Sequence, residues 1–443
     1  KEAGADTIIT CDNGIAAAEE IAYGKSLGMT IVVTDHHEIP YREENGERKY
    51  VLPPADAVVD PKRADCLYPF KGLCGAAVAY KLMEALYEAS GKDSADIDYL
   101  MEEVAIATVG DVMRLQDENR IIVKYGLRRM AETKNLGLKK LAEKNNLDLS
   151  TITAYHIGFV IGPCLNAGGR LQTAKLALSM LLAETEDEAE ALAQELKSLN
   201  DMRKDMTEQW TAEAKLLADT RYRDDKVLVV FLPECHESLA GIIAGRLREY
   251  CQKPALVLTR GEEAVKGSGR SIEAYHMFKK LSEVKELLLK FGGHPMAAGL
   301  SLLEENIEPF RKALNENSGL TEEDFKAKVW IDVPMPIDYI KERLVEELKI
   351  LEPFGQGNEK PLFAQKGVRI RSCRVIGKNK NVVKMVLEGQ GGRAMDGMLF
   401  TDGLAFEEER NGRRMLDIVY YPEINEYNGS RNIQVVIRRY RFC

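Results

Sequence analysis

The sequence lacks paired cysteines and long apolar runs, and each absence excludes a class of protein. Its eight cysteines show no CxxC or other paired spacing, which argues against a disulfide framework and against a thiolate zinc site. No apolar run approaches the roughly 18–20 residues that a membrane span requires, and the first residues show no signal-peptide pattern. We therefore expect a cytoplasmic protein that does not enter a membrane.

An overall excess of positive charge is also missing, because the formal net charge is −9. This value argues against a protein that is attracted to nucleic acid over its whole surface. The charge is uneven, however: residues 361–443 contain 15 Lys and Arg against 9 Asp and Glu, a net +6, which leaves −15 on the rest. A basic C-terminal module on an acidic body suits an enzyme that holds a polyanion at one place only.

Two short β-branched runs, 23 residues apart, each end in a cluster of metal-binding side chains. Residues 7–10 (TIIT) lead into CDNG, with Asp12, and residues 30–33 (TIVV) lead into TDHH, with Asp35, His36 and His37. Residues 16–27 between them have the apolar spacing of a crossover helix. The segment therefore predicts a strand–helix–strand unit, whose two strands are parallel neighbours.

The four polar side chains should meet at one edge of a sheet, since parallel strands place their carboxyl ends together and ligands bind there. Two Asp and two His favour a divalent ion such as Mn²⁺ or Mg²⁺ over a thiolate metal. Singly, an Asp after a strand is usually a helix cap and a His is usually a satisfied polar group. Because that interpretation must hold for four neighbouring residues at once, we favour a metal site.

The length of 443 residues predicts three domains of roughly 100–180 residues each. The first part has an α/β pattern, with a third strand at 57–59 that ends in Asp60 and a helix that begins at Gly75. Residues 183–219 lack Gly and Pro and predict one long helix that joins two domains. A second, smaller α/β unit follows to about 325. Five short basic strands, with a hairpin signal at 427–430, then predict a small β-barrel such as an OB-fold.

Several motifs occur in a fixed order along the chain. They are TCDNGI (10–15), TDHHEIP (34–40), ATVGDVMRL (107–115), GPCLNAGGRLQTA (162–174), CHESLAGIIAGRL (235–247), GSGRS (267–271), FGGHPMAAGL (291–300) and LEPFGQGN (351–358). In this order the sequence resembles the RecJ branch of the DHH phosphoesterase superfamily. The resemblance implies a parallel-sheet DHH catalytic domain (1–182, incomplete at its N-terminus), a connecting helix (183–219), a DHH-associated substrate domain (220–328) and an OB-fold (329–443).

The activity that the resemblance implies is a metal-dependent, single-strand-specific 5′→3′ DNA exonuclease of DNA repair and recombination. Two ions, Mn²⁺ or Mg²⁺, would lie about 3.5–4 Å apart. Asp12, His36 and Asp111 would be their ligands. Asp35 would orient the histidine pair, and His37 would contact the scissile phosphate or donate a proton. Without the resemblance, Asp111 would be interpreted as a helix-ending residue.

The resemblance also assigns substrate and nucleic-acid contacts. The pocket for the terminal nucleotide would be formed by Arg270, Ser271, Gly293 and His294, with Arg170 and His236 beside them. The basic residues of the barrel that would bind the strand are Arg369, Arg371, Arg374, Lys378 and Lys380. Four aromatic residues either stack on bases or fill the barrel core, and periodicity leaves this open: Phe363, Phe400, Tyr420 and Tyr421. His156 and His276 match no motif and are assigned to structure.

Two alternatives share the motifs: a DHH nano-RNase or small-nucleotide phosphatase, and a catalytically silent single-strand-binding protein. Residues 330–443 argue against the first, and the intact motifs argue against the second. The family's first motif, an Asp-x-Asp pair, has no counterpart before Asp12. We therefore expect that the natural protein extends further upstream and that the chain as given is inactive. The expected partners are single-stranded DNA, a single-strand-binding protein and a helicase, and the expected state is a monomer.

Overall fold

The computed structural model describes residues 1–44, 47–427 and 429–443, and it divides into two compact units. Unit 1 comprises Lys1–Thr133, Asp148–Val160 and Val329–Cys443, and unit 2 comprises Lys134–Leu147 and Ile161–Lys328. The domain limits at 183, 220 and 329 stay a prediction.

The α-helices and β-strands follow one another along both units. The helices are α1 (Ala18–Ser26), α2 (Gly75–Ala89), α3 (Met101–Gly110), α4 (Asp117–Met130), α5 (Leu136–Lys144), α6 (Ala154–His156), α7 (Gly162–Leu171), α8 (Lys175–Leu181), α9 (Glu186–Thr220), α10 (Ala240–Cys251), α11 (Met277–Ser282), α12 (Ile307–Glu316), α13 (Glu342–Leu348) and α14 (Gly403–Arg410). The strands are β1 (Thr7–Ile9), β2 (Thr30–Thr34), β3 (Tyr41–Glu44), β4 (Glu47–Tyr50), β5 (Ala57–Val59), β6 (Leu228–Phe231), β7 (Ala255–Arg260), β8 (Val265–Arg270), β9 (Lys290–Gly293), β10 (Ala297–Leu302), β11 (Val333–Pro334), β12 (Phe363–Ile376), β13 (Val382–Glu388), β14 (Ala394–Phe400), β15 (Met415–Tyr427) and β16 (Ser430–Phe442).

The first sheet of unit 1 has the order β1-β2-β5, and its strands are parallel. Thr7 pairs with Thr30, so the 23-residue spacing is the register of the sheet and the predicted strand–helix–strand unit is confirmed. Helix α1 packs on β2 through a small apolar core that includes the buried Ile31 and Val33. The antiparallel pair β3–β4 was not predicted; residues 45 and 46 lie outside the described residues.

Helices α2, α3 and α4 pack together beside this sheet in unit 1. Helix α2 begins at Gly75, as predicted, and α3 ends at Gly110, directly before Asp111. Both helix ends matter for the site, because each places a residue near the carboxyl edge of the sheet.

Unit 2 contains a sheet with the order β6-β7-β8-β10-β9, in which β6 and β7 are parallel and the other pairs are antiparallel. One face of the sheet packs against α10, and the opposite face is covered by α11 and α12. Helix α9 is 35 residues long, close to the predicted helix at 183–219, and packs against α5, α7, α8 and α10.

The C-terminal strands of unit 1 form a barrel with the order β11-β12-β13-β14-β16-β15, which the pairing of β12 with β15 closes. The five predicted strands are confirmed as β12 to β16, whereas α14 was not predicted. Asn428 of the expected turn at 427–430 lies outside the described residues, but the strands on either side pair as a hairpin would.

All eight cysteines are free, as the spacing predicted. Within residues 1–44, 47–427 and 429–443, helices with the length and apolarity needed to cross a membrane are absent.

Candidate metal centre and phosphate site

Asp35 holds together the loop that carries the histidine pair. Its carboxylate is 1% exposed and accepts hydrogen bonds from the backbone N–H groups of Ile15 (2.9 Å), His36 (2.7 Å) and His37 (3.3 Å). It also lies 2.7 Å from Nδ1 of His37. Burial by itself would raise the pKa of Asp35, but these hydrogen bonds outweigh burial and hold the pKa below its usual value. Asp35 is therefore an ionised group that orients its neighbours.

His36 and two carboxylates meet at the carboxyl edge of the first sheet. Nε2 of His36 lies 3.1 Å from Oδ1 of Asp12 and 3.4 Å from Oδ2 of Asp111. Asp12, His36 and His37 can each offer a ligand atom within 4.8 Å of the others. The hydrogen bond to Asp35 raises the pKa of His37, whose side chain is 59% exposed. The structure thus brings together all the residues that were predicted for the metal centre.

Asp12 reaches this position through an unusual backbone conformation and because its neighbour Gly75 has no side chain. Its φ is +62°, in the left-handed region that Asp tolerates better than most residues. A Cβ atom on Gly75, at the start of α2, would lie 2.3 Å from Oδ1 of Asp12 and 2.6 Å from its Cα. Only glycine at position 75 therefore leaves room for Asp12, a role that the sequence analysis missed. The only signal was glycine as the first residue of a helix.

Asp60 is a further carboxyl group that the sequence analysis did not assign to the site. It follows β5 at the same sheet edge, is 2% exposed and accepts one hydrogen bond from the N–H of Lys62. Burial raises the pKa of Asp60, and the nearby charge of Asp35 raises it further. The signal was present, since a third predicted strand ended in this residue.

These residues fit a divalent metal site. The ring nitrogens of His36 are buried, and within the described part of the chain neither has a hydrogen-bond partner. Nε2 nevertheless faces two carboxylate oxygens, an arrangement in which a cation between the three groups would satisfy all of them. A mixed carboxylate and imidazole set suits Mn²⁺ or Mg²⁺ and not a thiolate metal.

The predicted phosphate site lies in unit 2, and its central residue is Arg270. Its Nη1 donates to Oγ of Ser268 (3.0 Å) and to the carbonyl of Gly269 (2.8 Å). Burial lowers the pKa of Arg270, and the positive charges of Arg170 and Arg248 lower it further. Such a group of guanidinium ions attracts an anion, because an anion offsets the repulsion between them. Ser268 was not among the predicted residues, although it lies in the same GSGRS motif.

Of the other predicted substrate residues, Arg170 lies near the end of α7 and Gly293 ends β9, whereas His236 and His294 lie in loops. Nη1 of Arg170 donates to the carbonyl of Ser238 (2.7 Å), next to His236, which is exposed and caps a short 3-10 turn. Gly293 has a φ of +149°, and a Cβ there would lie 2.4 Å from the carbonyl of Ala297. His294 is exposed in the turn that follows.

Ser271 is buried, and its hydroxyl donates to the carbonyl of Tyr275, so it stabilises the loop after β8.

His156 accepts a backbone hydrogen bond near α6, and His276 caps α11. These are the hydrogen bonds of structural histidines.

The basic residues of the barrel differ in how they are paired. Glu388 contacts Arg371 at 2.6 Å and Arg369 at 3.8 Å. Arg374, Lys378 and Lys380 have no acidic partner within the part of the chain that the structure describes. These three side chains are therefore the best placed of the five to bind phosphates.

The four aromatic residues differ in how far they are buried. Phe363 and Tyr420 are buried in the barrel core, where the Tyr420 hydroxyl donates to the carbonyl of Met335. Phe400 is 64% exposed, and Lys360 lies 4.3 Å from the ring centroid of Tyr421. Phe400 therefore remains as a candidate for base stacking, whereas Tyr421 is only partly exposed and has Lys360 over its ring.

Three family models match successive regions of the chain. The DHH family N-terminal domain matches residues 3–108, the DHHA1 domain matches 224–318, and the RecJ OB domain matches 331–439. The single-stranded-DNA-specific exonuclease RecJ of Salmonella typhimurium is 34% identical over 99% of this chain and 77% of its own length. The chain belongs to the RecJ family. The RecJ of Bacillus subtilis is 37% identical, over 99% of this chain but 54% of its own length.

Solved RecJ structures share the fold. A RecJ from Thermus thermophilus in complex with Mn²⁺ has a TM-score of 0.83 and 28% identity, over 98% of this chain and 62% of that one. An exonuclease RecJ bound to manganese has a TM-score of 0.59 and 31% identity, over 72% of this chain and 77% of that one. This chain thus spans between half and four fifths of the length of the RecJ proteins compared with it.

Proposed function

We propose that this chain is the nuclease body of an exonuclease that releases nucleotides from the 5′ end of single-stranded DNA with Mn²⁺ or Mg²⁺. The observation that carries the proposal is the buried His36 imidazole, whose Nε2 faces both Asp12 and Asp111. The names of the RecJ relatives and their manganese complexes support it. The residues of the OB barrel favour a nuclease for strands over a phosphatase for small nucleotides.

Asp12, His36 and Asp111 would hold the metal ions. The bound ions would supply activation of the attacking water and stabilisation of charge on the leaving oxygen. Asp35 keeps the imidazole of His37 oriented through the contact at Nδ1, so Nε2 is free to meet the scissile phosphate. Because Asp35 raises the pKa of His37, that ring can carry the proton which the leaving group takes.

Arg270, Ser268 and Arg170 would hold the terminal phosphate, with the turn at Gly293 and His294 beside them.

The barrel would bind the strand further from the cut through Arg374, Lys378 and Lys380. Arg369 and Arg371 would contribute less, because both are paired with Glu388. Phosphate and stacking contacts do not depend on the base, so binding should be independent of sequence. The monomeric state, the cytoplasmic location, and partnership with a single-strand-binding protein and a helicase stay predictions.

Arg270→Ala should reduce cleavage of 5′-phosphorylated single strands more than it reduces total strand affinity. A charge-assisted hydrogen bond contributes about 1.5–3 kcal/mol, which corresponds to roughly a 10–100-fold loss in kcat/KM. Steady-state cleavage by the full-length protein and filter binding of the same strand measure the two effects. Arg221→Ala, which removes an exposed arginine paired with Glu308, is the matched control. Equal losses in cleavage and affinity would place Arg270 outside the terminal-phosphate site.

The double variant Lys378→Ala and Lys380→Ala should weaken binding of long single strands and flatten its salt dependence. For single strands each phosphate contact contributes about 0.7 to the slope of log K against log salt, so the slope should fall by roughly 1.4. Binding is measured by fluorescence anisotropy between low and moderate salt. Arg343→Ala serves as the control, because that side chain is 88% exposed and already paired with Glu347. An unchanged slope would remove the two lysines from the strand path.

A further inference from the structure

A pocket of about 550 Å³ lies in unit 2, on the face of the sheet that carries Arg270. Residues 266, 268 and 270 alternate along β8, so Lys266, Ser268 and Arg270 point to the same side of the sheet. Lys266 and Ser268 line the pocket. The pocket therefore continues from the phosphate site along the strand, and no role described so far accounts for the part beyond Ser268.

The floor of the pocket is bare backbone. Ser268 pairs with Gly299, which pairs with Gly292 on the next strand. A Cβ atom added to Gly292 or Gly299 would meet nothing within 4 Å, so both glycines open into the pocket. Two adjacent glycines on neighbouring strands form a flat shelf, on which a planar ring can lie against the peptide groups.

Polar groups surround this shelf. In the next row across the sheet, Lys266 pairs with Ser301, which pairs with Lys290. Lys266 also lies 2.6 Å from Glu237 at the rim, whereas Lys290 has no ion pair within the described residues. The row thus offers the unpaired ammonium group of Lys290 and the hydroxyl group of Ser301, and Glu237 adds a carboxylate at the rim.

Thr259 supplies an independent indication of a ligand. Thr259 lies on β7, where it pairs with Lys266 of β8, and it lines the pocket. Its side chain is fully buried. Within the part of the chain that the structure describes, its Oγ1 has no hydrogen-bond partner. A buried hydroxyl without a partner is uncommon in folded proteins, and a polar ligand in the pocket would supply one.

We propose that this pocket binds a nucleotide, with its base on the glycine shelf and its phosphates near Lys290 and Lys266. Glu237 then accepts a hydrogen bond from a ribose hydroxyl. A bare phosphate would fit less well, because it would leave the glycine shelf unused. Lipid and peptide ligands do not match the combination of a flat floor and two lysines.

Such a nucleotide has two possible sources: a free nucleotide, or one joined through a pyrophosphate to the 5′ end of a strand. The second source rests on the proposed function, in which Arg270 holds the terminal phosphate. Lys266 and Arg270 are four residues apart on β8, or about 13 Å between their Cα atoms. A nucleotide linked to the terminal phosphate spans a distance of this order.

The test measures binding of ADP, of a 5′-phosphorylated oligonucleotide and of the same oligonucleotide with a 5′-adenylate. Two variants alter the pocket: Gly299→Leu covers the shelf, and Lys290→Ala removes the unpaired cation. Lys312→Ala, an exposed lysine of α12, is the control. We expect ADP to bind at least tenfold more weakly to both pocket variants than to the unmodified chain and the control. Thermal unfolding checks that each variant is folded. If Gly299→Leu does not fold, the result for Lys290→Ala alone decides the outcome.

Equal ADP affinity in all the folded proteins, or absence of ADP binding at millimolar concentration, would overturn the proposal. An adenylated strand that binds at least tenfold more tightly than the phosphorylated one assigns the pocket to strand ends. Equal binding of the two strands, with ADP binding retained, assigns it to a free nucleotide. Failure of the proposed function gives a different result: the phosphorylated strand would then be insensitive to Arg270→Ala while ADP binding still depends on Lys290.

Discussion

His36→Ala should lower Mn²⁺ affinity and nuclease activity by roughly 100-fold or more. Residues that only orient a metal ligand already cost about 10–100-fold when they are replaced, and His36 lies directly between two carboxylates. The substitution also leaves Asp12 and Asp111 facing each other without a cation or an imidazole between them. Calorimetric titration of this chain with Mn²⁺ measures the affinity, and release of nucleotides from single-stranded DNA by the full-length protein measures the activity.

The control for this prediction is His156→Ala, because His156 has the same side chain but makes the hydrogen bonds of a helix cap. It should lower stability slightly and leave Mn²⁺ affinity unchanged. Unfolding measured in the presence of a chelator separates a loss of metal from a loss of fold. A His36→Ala protein that is folded and binds Mn²⁺ normally would remove His36 from the metal centre.

Gly75→Ala should have the second largest effect, although residue 75 offers no side chain to the metal. The added Cβ would lie 2.3 Å from Oδ1 of Asp12 and 2.6 Å from its Cα, far closer than carbon and oxygen atoms can approach. Either Asp12 or the start of α2 must move, and a ligand displaced in this way should cost about 10–100-fold in metal affinity. The same titration with Mn²⁺ tests it.

Gly245→Ala is the matched control for the glycine prediction. Gly245 lies inside α10, and a Cβ there meets nothing within 4 Å. Alanine should therefore stabilise the helix by about 0.5–1 kcal/mol and leave Mn²⁺ affinity as it was. Normal affinity in Gly75→Ala would mean that Asp12 is not held against the start of α2 in solution.

The sequence by itself determined the first sheet and the residues that gather at its edge. Residues 7–10 and 30–33 are β-branched runs separated by one helix, a pattern that favours a parallel pair whose carboxyl ends coincide, as the structure has it. Asp12, Asp35, His36 and His37 were therefore brought together by local patterns alone. The barrel strands were equally predictable, since their alternating pattern has a period of two.

Other features were decided only by tertiary structure, because they depend on contacts between distant parts of the chain. Asp111 ends α3 like an ordinary helix-ending residue, and only the packing of α3 beside the sheet brings it to 3.4 Å from His36. Gly75 is an ordinary glycine until Asp12 lies against it. Phe363 and Phe400 have the same side chain, and only closure of the barrel buries one and exposes the other. Periodicity reports which residues share a face, whereas burial depends on what covers that face.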